Sequence, residues 1–126
     1  MKVYLARFEK NNKVSYKIGH TKFFYSIKRF ADEQYKVFDN ITIVEDINVQ
    51  HASAITARLM AQLVEECLHG VFPKNFRLES HFVTEENLFD GLSGITEMFI
   101  LEDNQTEDDV KRIFLNVKKN IERLLK

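Results

Sequence analysis

The residues of this chain that can do chemistry are concentrated at two places. The stretch SYKIGHT, residues 15–21, carries Lys17, Gly19 and His20, which are a cation and a titratable ring around a residue without a side chain. Glu65 and His69 are four residues apart, so on a helix they are neighbours on one face. Such groups bind anions or divalent ions and move protons. A lysine on a surface strand can also serve solubility alone, and both interpretations of Lys17 stand at this point.

The cysteine and histidine positions argue against a zinc site. Cys67 is the only cysteine, so the chain has neither an internal disulfide nor a thiolate cage, and we expect a small buried hydrophobe there. His20, His51 and His81 do not have the spacing of metal ligands. A lone cysteine is typical of a protein of the reducing cytoplasm, which is the expected compartment.

Length and charge fit one globular domain with an uneven charge distribution. The chain has 126 residues and a formal net charge of −1, and no apolar run is long enough for a membrane span. Residues 1–36 hold nine Lys and Arg against three Asp and Glu, whereas residues 37–126 hold nine against sixteen. The basic first part predicts one positive face for a polyanion. Chance clustering on a solvated surface is the alternative.

The hydrophobic pattern predicts the elements that would position these residues. A β-hairpin of Val3–Phe8 and Val14–Ile18 turns through Asn11 and Asn12, which tolerate left-handed backbone. The further predicted elements are a helix within residues 24–38, a strand at Ile41–Ile47, a helix at Val49–His69 ended by Gly70, a strand at Thr96–Leu101 and a helix at Thr106–Leu125.

The two long predicted helices carry distinct patterns. In the first, Glu65 and His69 continue a polar stripe that begins with Arg58 and Gln62, at the edge of an apolar surface. The second opens on a capping box of Thr106 and Asp109. Its apolar stripe consists of Val110, Phe114, Val117, Ile121 and Leu124. We expect that stripe to cover the domain, with a homodimer contact as the alternative.

In order, these pieces resemble the GIY-YIG nuclease superfamily, in particular its small phage and bacterial branch. The segments that carry the likeness are VYLARF with Tyr4, YKIGHT with Gly19, SIKRF with Arg29, EECLH with Glu65, and GITEMF. The resemblance covers about residues 2–101. Lys17 stands where many members of the family have a second tyrosine, as is common in this branch, and Tyr16 falls on the opposite strand face.

The resemblance implies an α+β fold, with a small antiparallel sheet of three or slightly more strands flanked by helices. Residues 1–102 would form the GIY-YIG-like domain. Residues 103–126 would add an amphipathic helix that packs on this domain or lies at a dimer contact.

The resemblance also implies a site for phosphodiester hydrolysis. Its catalytic residues would be Tyr4, Lys17, Arg29 and Glu65, gathered in one pocket. Glu65 would hold one Mg²⁺ or Mn²⁺ ion, Arg29 would bind phosphate, and either Tyr4 or Lys17 would be the base. The expected substrate-binding residues are Tyr16, Gly19, His20, Lys22 and Lys28. His20 could instead position Tyr4, and His69 could orient Glu65.

Two functions follow as expectations. The first is a metal-dependent endonuclease, phage-encoded and active in the host cytoplasm, whose partner is nucleic acid, with DNA favoured, and which does not bind membranes. The second is a catalytically silent module of the same fold that binds nucleic acid or a protein, because a fold can persist without its chemistry.

Overall fold

The computed structural model describes residues 1–31, 35–36, 38–71, 98–99, 101 and 105–124. The elements are β1 (Lys2–Lys10), β2 (Lys13–Thr21), a 3-10 helix (Ser26–Phe30), β3 (Asn40–Asn48), α1 (Ala54–Val71), β4 (Met98–Phe99) and α2 (Glu107–Leu124). The α+β class, the small antiparallel sheet and the C-terminal helix are confirmed. Residues 72–97, which include most of the GITEMF segment, lie outside the described residues.

The sheet has the strand order β3-β1-β2-β4, and each neighbouring pair is antiparallel. The β1–β2 hairpin turns at Asn11 and Asn12, whose φ values of 53° and 64° match the left-handed backbone that a two-residue hairpin loop needs. Its register pairs Tyr4 with Gly19 and Ala6 with Lys17. Paired residues share a face of the sheet, so this register decides which side chains meet.

The sheet carries a separate hydrophobic core on each face. On the first, here called the helix face, Leu5 and Ile18 pack with Val64 and Leu68 of α1 and with Phe114 of α2. On the second, here called the 3-10 face, the core consists of Tyr4, Ala6, Phe8, Phe30, Tyr35 and Phe38. Because side chains alternate along a strand, adjacent residues of β1 and β2 belong to different cores.

Within the segment after β2, the described residues Ser26–Phe30 form a 3-10 helix, whereas the spacing predicted a longer helix. Its backbone bonds run from Lys28 N to the Tyr25 carbonyl (3.1 Å) and from Ala31 N to the Lys28 carbonyl (3.2 Å), which is the i→i+3 pattern. Ser26 is buried and donates to Asp46 Oδ2 at 2.8 Å. This bond anchors the short helix to β3, and Phe30 is its apolar contact with the core.

Helix α1 begins later and ends later than predicted. Ser53 is the N-terminal cap, since its Oγ accepts from Thr56 N (3.3 Å) and its carbonyl from Ala57 N (3.0 Å). Val49 instead continues the buried core next to β3. Gly70 was predicted to end the helix, but the helix runs through it to Val71.

The prediction that Cys67 is buried is wrong. The buried residues of α1 are Ala57, Ala61, Val64 and Leu68, spaced four, three and four apart. This spacing turns one stripe of the helix toward the sheet. Cys67 lies outside that stripe and is exposed.

Helix α2 follows its predicted pattern closely. Thr106 Oγ1 accepts from Asp109 N at 3.2 Å, and Asp109 Oδ2 accepts from Thr106 N at 3.0 Å, so the capping box is formed in both directions. Val110 and Phe114 are buried in the core of the helix face, and Val117 and Ile121 are partly buried against it. Leu124, the last residue of the predicted stripe, is exposed. Among the helices of the described ranges, none is long and apolar enough to cross a membrane.

Candidate functional site

Three of the four predicted catalytic side chains gather around one aromatic ring on the 3-10 face. The ring is that of Phe30, whose centroid lies 5.3 Å from the Tyr4 ring centroid, 6.0 Å from Lys17 Nζ and 5.9 Å from Arg29 Cζ. Arg29 Nη1 also donates to the Tyr35 hydroxyl at 3.0 Å. Tyr4 and Lys17 are only 1% and 4% exposed, so this cluster holds them inside the molecule.

Gly19 is where this cluster meets the end of β2. A Cβ atom at Gly19 would lie 2.5 Å from the Tyr4 hydroxyl oxygen and 2.9 Å from Cζ of the same ring. Gly19 was expected to be a substrate-binding residue, which requires open space beside its backbone. The Tyr4 ring fills that space instead.

Glu65 lies on the other face of the sheet. Its Oε2 is 2.8 Å from His20 Nδ1, and its Oε1 is 3.9 Å from His69 Nε2. His69 Nε2 is 3.1 Å from the Ile18 carbonyl oxygen, which can only accept, so this nitrogen carries the proton. His69 is thereby held between the end of α1 and β2, beside Glu65.

The prediction that Tyr4, Lys17, Arg29 and Glu65 share one pocket is therefore wrong for Glu65. Lys17 points to the 3-10 face, where it meets Phe30, whereas α1 packs on the helix face against Ile18. Because α1 packs on the helix face, its residue Glu65 lies on that side of the sheet, opposite to Lys17. The sequence spacing within α1 could not indicate which face that would be.

A cleft of about 420 Å³ lies where β2 ends, between the 3-10 helix and α1. It is lined by Met1, His20, Thr21, Lys22, Phe23, Arg29 and Arg58. His20, Lys22 and Arg29 were predicted as site residues, and the cleft brings them together. His20 also links the cleft to Glu65 through its Nδ1 atom. A second cleft, of about 590 Å³, shares Met1 and Lys22 with the first.

Arg58 is a cleft residue that the sequence did not assign to the site. It occupies the polar stripe that also holds Glu65 and His69, and this stripe was the available signal. It lies two turns before Glu65 on a helix, and only the packing of α1 shows that this position lines the same cleft as Arg29.

Two predicted substrate-binding residues lie elsewhere. Tyr16 is in the core of the helix face, stacked on Phe99 at 5.8 Å between ring centroids. Its hydroxyl donates to Glu107 Oε1 at 3.0 Å, and burial together with this carboxylate raises the pKa of Tyr16 above its usual range. Lys28 is exposed on the 3-10 helix and does not line the cleft.

The basic residues of the first third do not form one positive face. Lys10 pairs with Lys13 at the hairpin turn, and eight residues of extended chain, roughly 26 Å, separate that end from Thr21 beside the cleft. Arg7 forms ion pairs with Glu9 and with Glu107. The positive charge near the cleft comes from Lys2, Lys22 and Arg29, with Arg58 added by α1.

The donor set near the cleft suits a divalent ion held by one carboxylate. Within the described part of the chain, no group of three His, Cys, Asp or Glu side chains is placed to hold a metal ion. Mg²⁺ and Mn²⁺ prefer oxygen ligands and often bind through a single carboxylate with waters and a substrate phosphate. Glu65 Oε2 contacts His20, whereas Oε1 is beyond hydrogen-bond distance of His69 and is the oxygen better placed for such an ion.

Comparison with known proteins identifies no relative. No protein-family model matches the chain, and neither the curated proteins nor the solved structures contain a match. The likeness to GIY-YIG nucleases thus remains a resemblance of the five quoted segments.

Proposed function

We propose that this protein is a metal-dependent nuclease that binds the phosphate backbone of DNA in the basic cleft. The observation that carries the proposal is that one residue, His20, both lines the cleft and contacts the carboxylate proposed to hold the metal ion. His20 lines the cleft together with Arg29, and the same imidazole contacts the carboxylate of Glu65 at 2.8 Å. A phosphate-binding surface and a metal-binding oxygen are thereby neighbours, although they come from different faces of the sheet.

The charges of the cleft suit a phosphate backbone. Lys22, Arg29 and Arg58 come from three separate parts of the fold, and no Asp or Glu of the described ranges lines the cleft. A guanidinium presents several fixed N–H donors to phosphate oxygens, so Arg29 and Arg58 can position a phosphodiester from two sides. Arg29 is already oriented by its bond to the Tyr35 hydroxyl.

The chemistry assigns different roles to Glu65 and His20. Glu65 would hold the divalent ion, which supplies charge neutralisation at the phosphate and activates bound water. His20, rather than the buried Tyr4 or Lys17, is the group of the cleft that can accept a proton from the attacking water. With Nδ1 donating to Glu65, Nε2 keeps its lone pair for that purpose.

Tyr4 and Lys17 do not line the cleft, and their effect on it is indirect. Their contacts with Phe30 fix the 3-10 helix that carries Arg29, so they act on phosphate binding through that residue. The lone cysteine fits the cytoplasm as the place of action.

A catalytically silent module that binds nucleic acid is the second candidate. The observation that favours it is the burial of Tyr4 and Lys17 on the face opposite to Glu65, so the four-residue set implied by the resemblance is not assembled in one pocket. In such a module the basic cleft would bind the backbone without cleaving it.

A cleavage assay separates the two candidates. The purified chain is incubated with plasmid and branched DNA, with Mg²⁺ or Mn²⁺ and with a chelator, while fluorescence anisotropy measures binding. The nuclease requires cleavage that stops with chelator. It also requires that Glu65→Gln lose about three orders of magnitude in rate and retain binding, because the substitution removes the charge a metal ion needs.

Glu66→Gln is the matched control, since Glu66 is the exposed neighbour of Glu65 on the same helix. We expect it to cleave as the unmodified protein does. Binding without cleavage by the unmodified protein would establish the silent module, and equal cleavage by Glu65→Gln would remove Glu65 as the metal ligand.

A further inference from the structure

The loop between β2 and the 3-10 helix, residues 22–25, presents three consecutive aromatic rings to solvent. Phe24 is 73% exposed and Tyr25 is 62% exposed, and Phe23 is also exposed at the rim of the cleft. Single exposed apolar side chains are common on protein surfaces. A contiguous group of large rings beside a cleft instead marks a place of interaction.

Both ends of this loop are anchored, so the rings are held outward. Phe23 N donates to Thr21 Oγ1 at 3.3 Å, and Ser26 Oγ donates to Asp46 at 2.8 Å on the other side of the loop. Ser26 and Phe30 already occupy the inward positions of the segment. The Phe24 and Tyr25 rings contact each other edge to face, with centroids 4.9 Å apart.

Cations lie beside two of these rings, Phe23 and Phe24. Lys2 Nζ lies 5.5 Å from the centre of the Phe24 ring. Phe23 lines the cleft together with Lys22, Arg29 and Arg58, and that lining contains no carboxylate from the described ranges. Aromatic faces beside a positive groove are the combination with which proteins bind single-stranded nucleic acid, because bases stack on the rings while phosphates follow the charges.

We propose that Phe24 and Tyr25 form a stacking platform for unpaired bases, so that the preferred ligand of the cleft is a single strand or a frayed strand end. This inference rests on the proposed binding of nucleic acid in the cleft and adds the structure of the ligand. In an intact duplex the base faces are covered by neighbouring bases, so a duplex can use the cations but not the rings.

Fluorescence anisotropy with a labelled oligothymidine and a labelled duplex of equal length tests the platform. We expect the unmodified chain to bind the single strand more tightly. We expect the double variant Phe24→Ala/Tyr25→Ala to bind it at least about 10-fold more weakly and to bind the duplex unchanged. Leu63→Ala, which shortens an exposed apolar side chain on α1, is the control and should bind both as the unmodified chain does.

Chemical modification of Tyr25 can show directly whether the oligonucleotide contacts the platform. The chain has four tyrosines, all in the described ranges, and only Tyr25 is exposed. Oligothymidine should therefore protect Tyr25 from nitration, as measured by mass spectrometry of its peptide. Tyr25→Phe should retain single-strand affinity, because it retains the ring.

The outcomes distinguish the stacking platform from the binding of nucleic acid in the cleft. Nucleic-acid binding that is unchanged in Phe24→Ala/Tyr25→Ala overturns the platform and leaves the basic cleft standing. A chain that binds neither oligonucleotide overturns both. If the double variant changes only self-association in sedimentation, the rings are an interface between copies of this chain and the platform is overturned.

Discussion

His20 and Glu65, 45 residues apart, are joined by a 2.8 Å contact between Nδ1 and Oε2. This contact crosses from the end of β2 to the middle of α1, and it couples the cleft to the carboxylate behind it. The two side chains can meet only because His20 points to the helix face of the sheet and α1 packs on that same face.

A double-mutant cycle measures that relationship. We expect His20→Ala and Glu65→Ala to show a coupling energy of about 1–2 kcal/mol in urea unfolding, because a hydrogen bond to a partly buried carboxylate contributes that much. The pair His51→Ala and Glu66→Ala gives the control with no expected coupling, since both side chains are exposed. Additive effects at His20 and Glu65 would show that the contact does not hold α1 to β2.

Gly19→Ala should destabilise the protein, whereas Gly70→Ala should not. The new Cβ at Gly19 would lie 2.5 Å from the Tyr4 hydroxyl oxygen and 2.9 Å from the ring carbon Cζ, and such overpacking costs about 1–3 kcal/mol. A Cβ at Gly70 would meet nothing within 4 Å, and alanine favours the helix by up to about 1 kcal/mol. Thermal unfolding of the two variants checks the opposite signs, and equal stability at position 19 would contradict the packing of Tyr4 over the backbone.

Lys22→Ala and Arg58→Ala should each weaken DNA binding and lower the salt dependence of the affinity. Removing one phosphate contact reduces the slope of log K against log salt by about one. Lys10 and Lys13 lie at the far end of the hairpin, so Lys10→Ala and Lys13→Ala should leave that slope unchanged. A larger effect from the hairpin lysines would place the binding surface at the other end of the sheet.

Tyr16→Phe should lower stability without affecting nucleic-acid binding. The hydroxyl donates to Glu107 in the core between β2 and α2, and such a bond contributes about 1 kcal/mol. Glu107 keeps its ion pair with Arg7 in the variant, so no carboxylate is left without a cation. Weaker DNA binding by this variant would restore Tyr16 to the site where the sequence had placed it.

Asp109→Asn should remove part of the acid sensitivity of the fold. Bonds from Thr106 and from Arg112 hold the pKa of Asp109 below its usual range, so the folded state favours the ionised form. That stabilisation is present above the unfolded pKa of about 3.9 and is lost as pH falls through the lower folded value. Urea unfolding between about pH 2.5 and 5 should show a flatter pH dependence for Asp109→Asn than for the exposed neighbour's variant, Asp108→Asn.

The sequence by itself determined the features that depend on neighbouring residues. The hairpin turn at Asn11 and Asn12 follows from their tolerance of left-handed backbone, and the capping box of Thr106 and Asp109 follows from residue types three positions apart. The change between strand and helix periodicity predicted the individual elements, and the resemblance to GIY-YIG nucleases implied the α+β class. His20, Lys22 and Arg29 were expected as site residues from the resemblance to GIY-YIG nucleases, and all three line the cleft.

Only the tertiary structure decided which of these residues meet. Local periodicity shows that Lys17 and His20 lie on opposite faces of β2, but the face that α1 covers depends on the total packing of both cores. That choice separated Glu65 from Tyr4 and Lys17 and brought Arg58 to the cleft. Core packing likewise moved the start of α1 from Val49 to Ala54, because a buried Val49 and a Ser53 cap together outweigh the helical pattern.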